Sequence, residues 1–282
     1  MAQDVALYVV ATPIGNLNDL TLRALETLRA VEVIAAEDTR HSHQLLSHHG
    51  IQNRLVSLHE HNEEARLQSI LDYLGQGQSV ALISDAGTPL ISDPGFLLVN
   101  AVRAQGYAVV PIPGPSALIA ALSVAGLAVI PFTFYGFLPR TAKARQDFLT
   151  SVGQVSQTLV FYEASHRIVA ALEDMQTVWG GARHVVLAKE LTKLYETIQS
   201  GRIDEILSWL AADARRCKGE FVLLVEKIDK NSDALVLSVD EILQPLMAAL
   251  PPKQATKLAA EITGLKKNDL YRRTMQWKQQ DE

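Results

Sequence analysis

Short apolar runs of seven or eight residues recur through the first 113 positions of this chain. They are ALYVVAT (6–12), VEVIAAED (31–38), RLVSLHE (54–60), SVALISDA (79–86) and YAVVPIP (107–113). Segments with helical spacing separate several of them, at 18–30, 62–74 and 94–104; in the first, Leu20, Leu22, Leu25 and Leu28 recur on one side. Strands alternating with helices predict a parallel sheet covered on both faces, because each crossover lays a helix on the sheet. A second series follows: FTFYGF (132–137), TLVFYEAS (158–165), HVVLAKEL (184–191) and EFVLLVEK (220–227), with helical segments at 141–150, 166–178 and 203–214. The prolines and glycine of PIPGPSA (111–117) interrupt the rhythm. The expected fold class is α/β, with an N-terminal α/β domain (1–112), a second α/β domain (113–230) and a small helical C-terminal domain (231–282). Polar DKNSD (229–233) reads as the linker into that last part.

A chain of 282 residues is long enough for two cores. No apolar stretch approaches the roughly 18 residues that would cross a bilayer. The opening MAQDVALYVVATP has no cationic lead and a short apolar run, so a first strand is expected there rather than a signal peptide. Cys217 is the only cysteine, which excludes internal disulfides, makes a cysteine-based metal site an unattractive reading and fits a reducing cytoplasm. The formal charge is −5, yet between Lys253 and Lys278 seven basic residues face two acidic ones, a local +5. Any nucleic-acid contact should therefore be concentrated there.

Four loops carry most of the candidate chemistry. VVATPIGNLNDLTLRAL (9–25) runs strand, turn, helix, with Pro13 and Gly15 in the turn and Asn18 or Asp19 as the expected cap. It has neither the dinucleotide G-x-G-x-x-G nor a P-loop G-K-[ST]. AAEDTRHSHQLL (35–46) sets Glu37, Asp38 and Arg40 at a strand end; Asp38 or Thr39 caps a helix, and His41 and His43, two apart, diverge too far to share a metal. SDAGTPLISDPG (84–95) packs two Ser-Asp pairs, two glycines and two prolines into twelve residues. Such a loop is stiff and folded back, with Asp85 at the strand tip and Ser92 or Asp93 starting the next helix ahead of Pro94. PIPGPSALIAAL (111–122) repeats the device, with Ser116 at the head of an apolar helix. In the second half, FYEASHR (161–167) and AKELTKLYE (188–196) place Glu163, His166, Arg167, Lys189, Glu190 and Glu196 at strand ends that converge on one sheet edge.

Taken together, ATPIGNLNDLTLRAL, AEDTR, SDAGTPLISDPG, PGPSAL and FYEASHR resemble the tetrapyrrole-methylase-like (class III) S-adenosylmethionine-dependent methyltransferases. The likeness covers the whole chain, and SDAGTPLISDPG is its most specific part. Members that methylate corrinoid precursors carry Gly-Asp-Pro where Asp85-Ala86-Gly87 stands here, which moves the reading from a tetrapyrrole toward RNA. The resemblance implies two α/β domains with S-adenosyl-L-methionine in the cleft between them, a homodimer, and 2′-O-methylation of a cytidine in 16S rRNA at the decoding centre of the small ribosomal subunit. It implies that Asp85, Ala86, Gly87 and Pro89 face the cofactor and that Ser116 and Ala117 hold its amino-acid or sulfonium region. Tyr162, Leu191, Thr192, Glu220 and Phe221 would surround the adenosine, with Pro13 and Gly15 near the transferred methyl.

A ribose 2′-hydroxyl is a weak nucleophile and needs a proton acceptor beside it. Asp38, Glu163 and Lys189 are the candidates, with Arg40 and Arg167 as phosphate clamps. In the tail, 252–277 reads as two helices about Gly264, with Leu258, Ile262, Leu265 and Leu270 as a small core. Lys266, Lys267, Arg272 and Arg273 flank the second helix as RNA contacts, and Tyr271 is placed to stack. Two other readings stay open: a tetrapyrrole methyltransferase, and a non-catalytic S-adenosylmethionine-sensing module that docks on the ribosome.

Overall fold

β-Branched runs pair into sheets where helices bury both of their faces, and the N-terminal half does this throughout. A computed structural model describes residues 5–228, 239–263, 265 and 267–278. The linker reading at 229–233, the turn at Gly264 and Lys266 lie outside the described residues. Five strands, β1 (Ala6–Val10), β2 (Val33–Ala36), β3 (Arg54–Ser57), β4 (Val80–Ile83) and β5 (Ala108–Ile112), form one sheet in the order β3-β2-β4-β1-β5, with every pairing parallel. Helices α1 (Leu22–Ala30) and α2 (Thr39–His48) cover one face through Ala24, Leu28 and Leu46. Helices α3 (Glu63–Gly75) and α4 (Phe96–Ala104) cover the other through Ile70, Leu74, Leu98 and Val102. Leu7, Ile34 and Leu82 are at most 1% exposed, and burial of each such side chain is worth about 1.5–3 kcal/mol.

The chain leaves β2 toward one sheet edge and its neighbour β4 toward the other. The loops beyond those two strands therefore part, and the gap at their C-terminal ends is where open α/β sheets bind ligands. Two caps differ from expectation. Thr21, not Asn18 or Asp19, caps α1 by accepting the Ala24 N–H at 3.1 Å; Asn16 instead closes a short turn by accepting the Asn18 N–H. Gly95, at φ 126°, heads α4, so neither Ser92 nor Asp93 is its cap. The end of α4 is served from elsewhere: buried Glu63 accepts the Leu98 N–H at 2.9 Å.

Helix α5 (Ala117–Val124) follows the first sheet but packs on the second, through Leu118, Ala121 and Leu122. That sheet comprises β6 (Phe132–Phe137), β7 (Thr158–Ala164), β8 (His184–Lys189), β9 (Thr197–Arg202) and β10 (Glu220–Val225), in the order β6-β7-β10-β8-β9. Its far face lies under α6 (Ala142–Val152), α7 (Ile168–Trp179) and α8 (Ile203–Ala211). Only β6 and β7 are parallel; the other pairings are antiparallel. The start of β10 consequently lies beside the ends of β7 and β8, with Phe221 opposite Glu163 on one side and Lys189 on the other.

The chain divides into two compact units, Met1–Lys227, which holds both sheets, and Ile228–Glu282. The second contains α9 (Val239–Ala249), α10 (Pro252–Thr263) and α11 (Lys267–Lys278). Its core is Leu243, Ala259 and Leu270. Of the expected core only Leu270 is buried; Leu258, Ile262 and Leu265 are exposed, because α9 packs against the alanine side of α10. No helix among the described residues is long and apolar enough to cross a membrane.

One ion pair is buried beneath the second sheet. Arg145 Nε donates to Asp174 Oδ2 at 2.6 Å, and Arg145 is 4% exposed. Arg145→Met should lower stability by roughly 3–5 kcal/mol, since it strands the Asp174 carboxylate, while adding Asp174→Leu should recover most of the loss. Urea unfolding midpoints of the two variants check this; equal losses would reject it.

Candidate functional site

The loop after β4 is bent by its sequence and fastened by its neighbours. Gly87 has φ 84°, and Leu90 and Ser92 also sit in the left-handed region at 71° and 72°. Thr12 and Gly87 exchange backbone hydrogen bonds of 2.8 and 3.0 Å. Thr88 Oγ1 donates to the Pro115 carbonyl at 3.1 Å, joining this loop to the one that leads into α5. The two kinked strand ends, 84–89 and 114–117, are thus in contact. Ser116 holds the N-cap position of α5 without using its side chain there, and Tyr162 Oη accepts the Leu118 N–H at 3.1 Å.

Between these loops and the second sheet lies a cavity of about 350 Å³, within the range of small-molecule sites. Asp85, Ala86, Gly87, Ser116 and Ala117 line it from one side, and Tyr162, Glu163, Leu191, Glu220 and Phe221 from the other. Lining residues that the sequence reading did not assign include Ile14, Glu37, Thr88, Ile91, Ser92, Asp93 and Phe137. Glu37 was visible as an acid at a strand end, whereas Asp93 resembled a helix cap. Ile14 and Phe137 gave no signal, since apolar residues beside a turn look like core. Five of the lining residues are acidic and none is basic.

Crowding of carboxylates in partial burial governs their titration. Burial, then the charges of Glu37 and Asp85, push Asp93 up to about 6 despite a hydrogen bond from Ser84. Burial and Asp85 likewise raise Glu37. Glu163 is raised by burial; its Oε1 accepts the Ala164 N–H at 2.9 Å and lies 3.2 Å from Arg167 Nε.

Several expected site residues are drawn into other tasks. Asp38 caps α2, accepting the Arg40 N–H at 2.8 Å, and pairs with the Arg40 side chain; these bonds hold it at about 2, which makes it a poor proton acceptor. Arg40 is highly exposed at the head of α2. Arg167 is no free phosphate clamp: it spends its guanidinium on the carbonyls of Leu138 and Pro139 and on Glu163. Lys189 and Pro89 are both buried, and neither lines the cavity. Pro13, Gly15 and Thr192 stand just outside it. There the first turn meets the loop after β8, and a Cβ on Gly15 would collide with the Lys193 side chain. Lys193 in turn bridges Glu190 and Glu220, each at 2.9 Å. In the second unit Lys267, Arg272 and Arg273 are exposed, as is Tyr271.

The sequence pattern of the Tetrapyrrole (Corrin/Porphyrin) Methylases matches residues 6–207. The chain belongs to that family. As a tetrapyrrole methylase-family protein it is a methyltransferase, and residues 233–278 match the RsmI C-terminal HTH domain. It is 52% identical over 266 residues to the ribosomal RNA small subunit methyltransferase I of Escherichia coli O157:H7, covering 94% of this chain and 93% of the relative. The protein of the same name from Pseudomonas aeruginosa is 50% identical over 272 residues, covering 96% of each. Among solved structures, the cobalt precorrin-4 methyltransferase CbiF aligns with TM-score 0.58 at 15% identity, over 78% of this chain and 94% of that one. The uroporphyrin-III-C-methyltransferase of Thermus thermophilus aligns with TM-score 0.54 at 21% identity, over 79% and 94%. At those identities the tetrapyrrole enzymes share the fold alone.

The raised Asp93 carboxyl makes a stability prediction. Its native value near 6 exceeds the ordinary 3.8, so the native state loses stability as pH rises from about 4 to 6. Asp93→Asn should therefore gain in Tm relative to the parent across that window, with the difference level above pH 7. Calorimetric melting from pH 4 to 8 measures it, and a pH-independent difference would count against the assignment.

Proposed function

We propose that this protein transfers the methyl group of S-adenosyl-L-methionine to the 2′-hydroxyl of a cytidine ribose in 16S rRNA, acting on the small ribosomal subunit. The observation that carries the reading is a division of charge. The cavity presents five carboxylates and no basic residue, whereas the helical unit exposes Lys253, Lys257, Lys267, Arg272 and Arg273. A cationic ligand suits the first and an RNA backbone the second. The names of the half-identical relatives, which match over both parts of the chain, support the same reading.

The residues present fit the donor. S-adenosylmethionine supplies an electrophilic methyl group on a sulfonium cation. Glu37 and Asp85 would offer their negative charge to that cation. The N-terminus of α5 would receive the donor's carboxylate, because Ser116 makes no side-chain cap bond there and the helix dipole is positive at that end; its Leu118 N–H is already given to Tyr162 Oη. Tyr162, Leu191, Phe221 and Val222 give an apolar wall for the adenosine. Gly87 permits close backbone approach: a Cβ there would sit 3.3 Å from Ile14 Cγ2.

For the acceptor, holding the ribose oxygen about 3 Å from the methyl carbon supplies much of the acceleration, since the approach must be in line. Tyr271 and the exposed cations of α10 and α11 would bind the RNA. A homodimer in the cytoplasm completes the proposal; the family resemblance supports the first, and the single cysteine, Cys217, which is free, suits the second.

Incubation with labelled donor and either unmodified small subunits or a tetrapyrrole precursor tests the function. Label in RNA ribose supports it; label in the tetrapyrrole, or donor binding without turnover, would overturn it. Replacing Lys266, Lys267, Arg272 and Arg273 together by Gln should weaken subunit binding at least tenfold and flatten its salt dependence, with donor affinity retained. Unchanged binding would remove the tail from the RNA interface.

A further inference from the structure

The reaction proposed above needs a group to take the ribose proton, and the cavity contains three carboxylates on its first-sheet side. Two of them brace each other. Asp85 Oδ1 accepts the backbone N–H of Asp38 at 3.0 Å, and the Glu37 carboxylate accepts the backbone N–H of Asp85. Each carboxylate thus fixes the strand end that carries the other. Asp93 is different. It accepts a hydrogen bond from the Ser84 hydroxyl, which also lies 3.5 Å from the Ala86 and Gly87 carbonyls.

We propose that Asp93 is the general base that takes the proton from the ribose 2′-hydroxyl, a role that rests on the RNA methyl-transfer reading. The backbone around it is held in a costly shape. Leu90 and Ser92, neither of them glycine, sit in the left-handed region, and Gly95 has φ 126°. Such strain persists only where surroundings enforce it, and it gathers at working sites. The loop lies close against the bulge of β6, where a Cβ on Gly136 would come within 3.1 Å of Ser92 Oγ. Asp93, next in the chain, lines the cavity beside Glu37, Asp85, Ser84 and Tyr162.

The rival bases are worse placed. Asp38 is a cap paired to Arg40. Glu163 has its side chain fully buried and tied to Arg167, and Lys189 lies off the cavity. Burial and the two neighbouring acids also bring Asp93 up to about 6, so that at neutral pH it is mostly ionised and ready to accept a proton while its basicity stays close to the operating pH.

The step balances as follows. The O–H proton passes to an Asp93 oxygen as the ribose oxygen forms its bond to the methyl carbon. The carbon–sulfur bond breaks, its electron pair stays on sulfur, and the donor departs as a neutral thioether. Asp93 then releases the proton to water, restoring the carboxylate.

The experiment measures single-turnover methylation of unmodified small subunits by the full chain from pH 5 to 8, with donor affinity by calorimetry and the Asp93 carboxyl titrated by carbon-13 NMR. The parent rate should fall about tenfold per pH unit below 6, and the carboxyl should titrate there. Asp93→Asn should be about 10²–10⁴-fold slower and lose that acid limb, while binding the donor within threefold of the parent at pH 7.5. Asp93→Glu should restore part of the rate and the limb. An Asn variant within a few fold of the parent, an acid limb that survives in it, donor binding lost in step with rate, or a carboxyl titrating near 4 would each overturn the proposal. A parent that leaves RNA unlabelled would instead overturn the function on which the proposal rests.

Discussion

The tie between Thr12 and Gly87 organises everything that follows it in space. Two backbone hydrogen bonds join the ends of β1 and β4, and the buried Thr12 hydroxyl adds a third to the Ser84 carbonyl at 3.2 Å. Neighbouring parallel strands normally let their exit loops diverge. Here the pair of bonds turns the loop after β4 back over the sheet edge, and glycine is required because φ is 84° with Ile14 close by. From that fold-back come the position of Asp85 at the strand tip, the reach of Thr88 to Pro115, and the roof of the cavity. A loop released from Thr12 would leave Glu37 and Asp85 without their mutual bracing.

Contacts between the two halves of the sheet-bearing unit flank the cavity. Ile14 leaves the first βα turn and is buried among the residues that α5 covers on the second sheet. Gly15 faces Lys193 and Thr192 at one end; Gly136 faces Ser92 at the other. Both places demand the smallest residue because backbone from one sheet comes against side chain from the other. The mixed second sheet is what makes the arrangement possible. Since β10 runs against β7 and β8, its first residues add Glu220, Phe221 and Val222 to the same edge that the ends of the other two strands supply.

The first sheet was legible in sequence because its strands are continuous apolar runs, each separated by an amphipathic helix, and five parallel strands need little else. The second was only half legible. TIQSGR, which forms β9, carries one large apolar residue and borders solvent, so no apolar period marks it. Without β9 the antiparallel turn-back could not be read. The loops at 84–89 and 114–117 announced themselves through their glycines and prolines. Asp93 did not, because Ser-Asp-Pro is also how helices begin, and only the φ of Gly95 shows that the helix starts later. Arg167 misled for the opposite reason: it looks free in sequence, yet its guanidinium is taken up by the carbonyls of Leu138 and Pro139, far back along the chain; Asp38, by contrast, was readable as a cap, and it caps α2 and pairs with Arg40 beside it. The tail core was misassigned because α9 was not marked off from its surroundings, so the wrong face of α10 looked inward.

Charge explains why one chain carries two such different parts. A cavity with five carboxylates holds a small cation well, but it repels the phosphates on either side of any ribose that approaches. At physiological salt such repulsion is screened over about 8 Å, so it weighs most on phosphates that come near the mouth. A nucleotide can satisfy both demands only if its ribose enters while its phosphates stay out, and that requires the backbone to be bent or splayed at the target. Cations inside the cavity would ease entry but would also compete with the donor for the same carboxylates. On the proposed reading, basic residues collected in a separate helical unit would avoid that competition, adding affinity for RNA while leaving the cavity's carboxylates to a sulfonium.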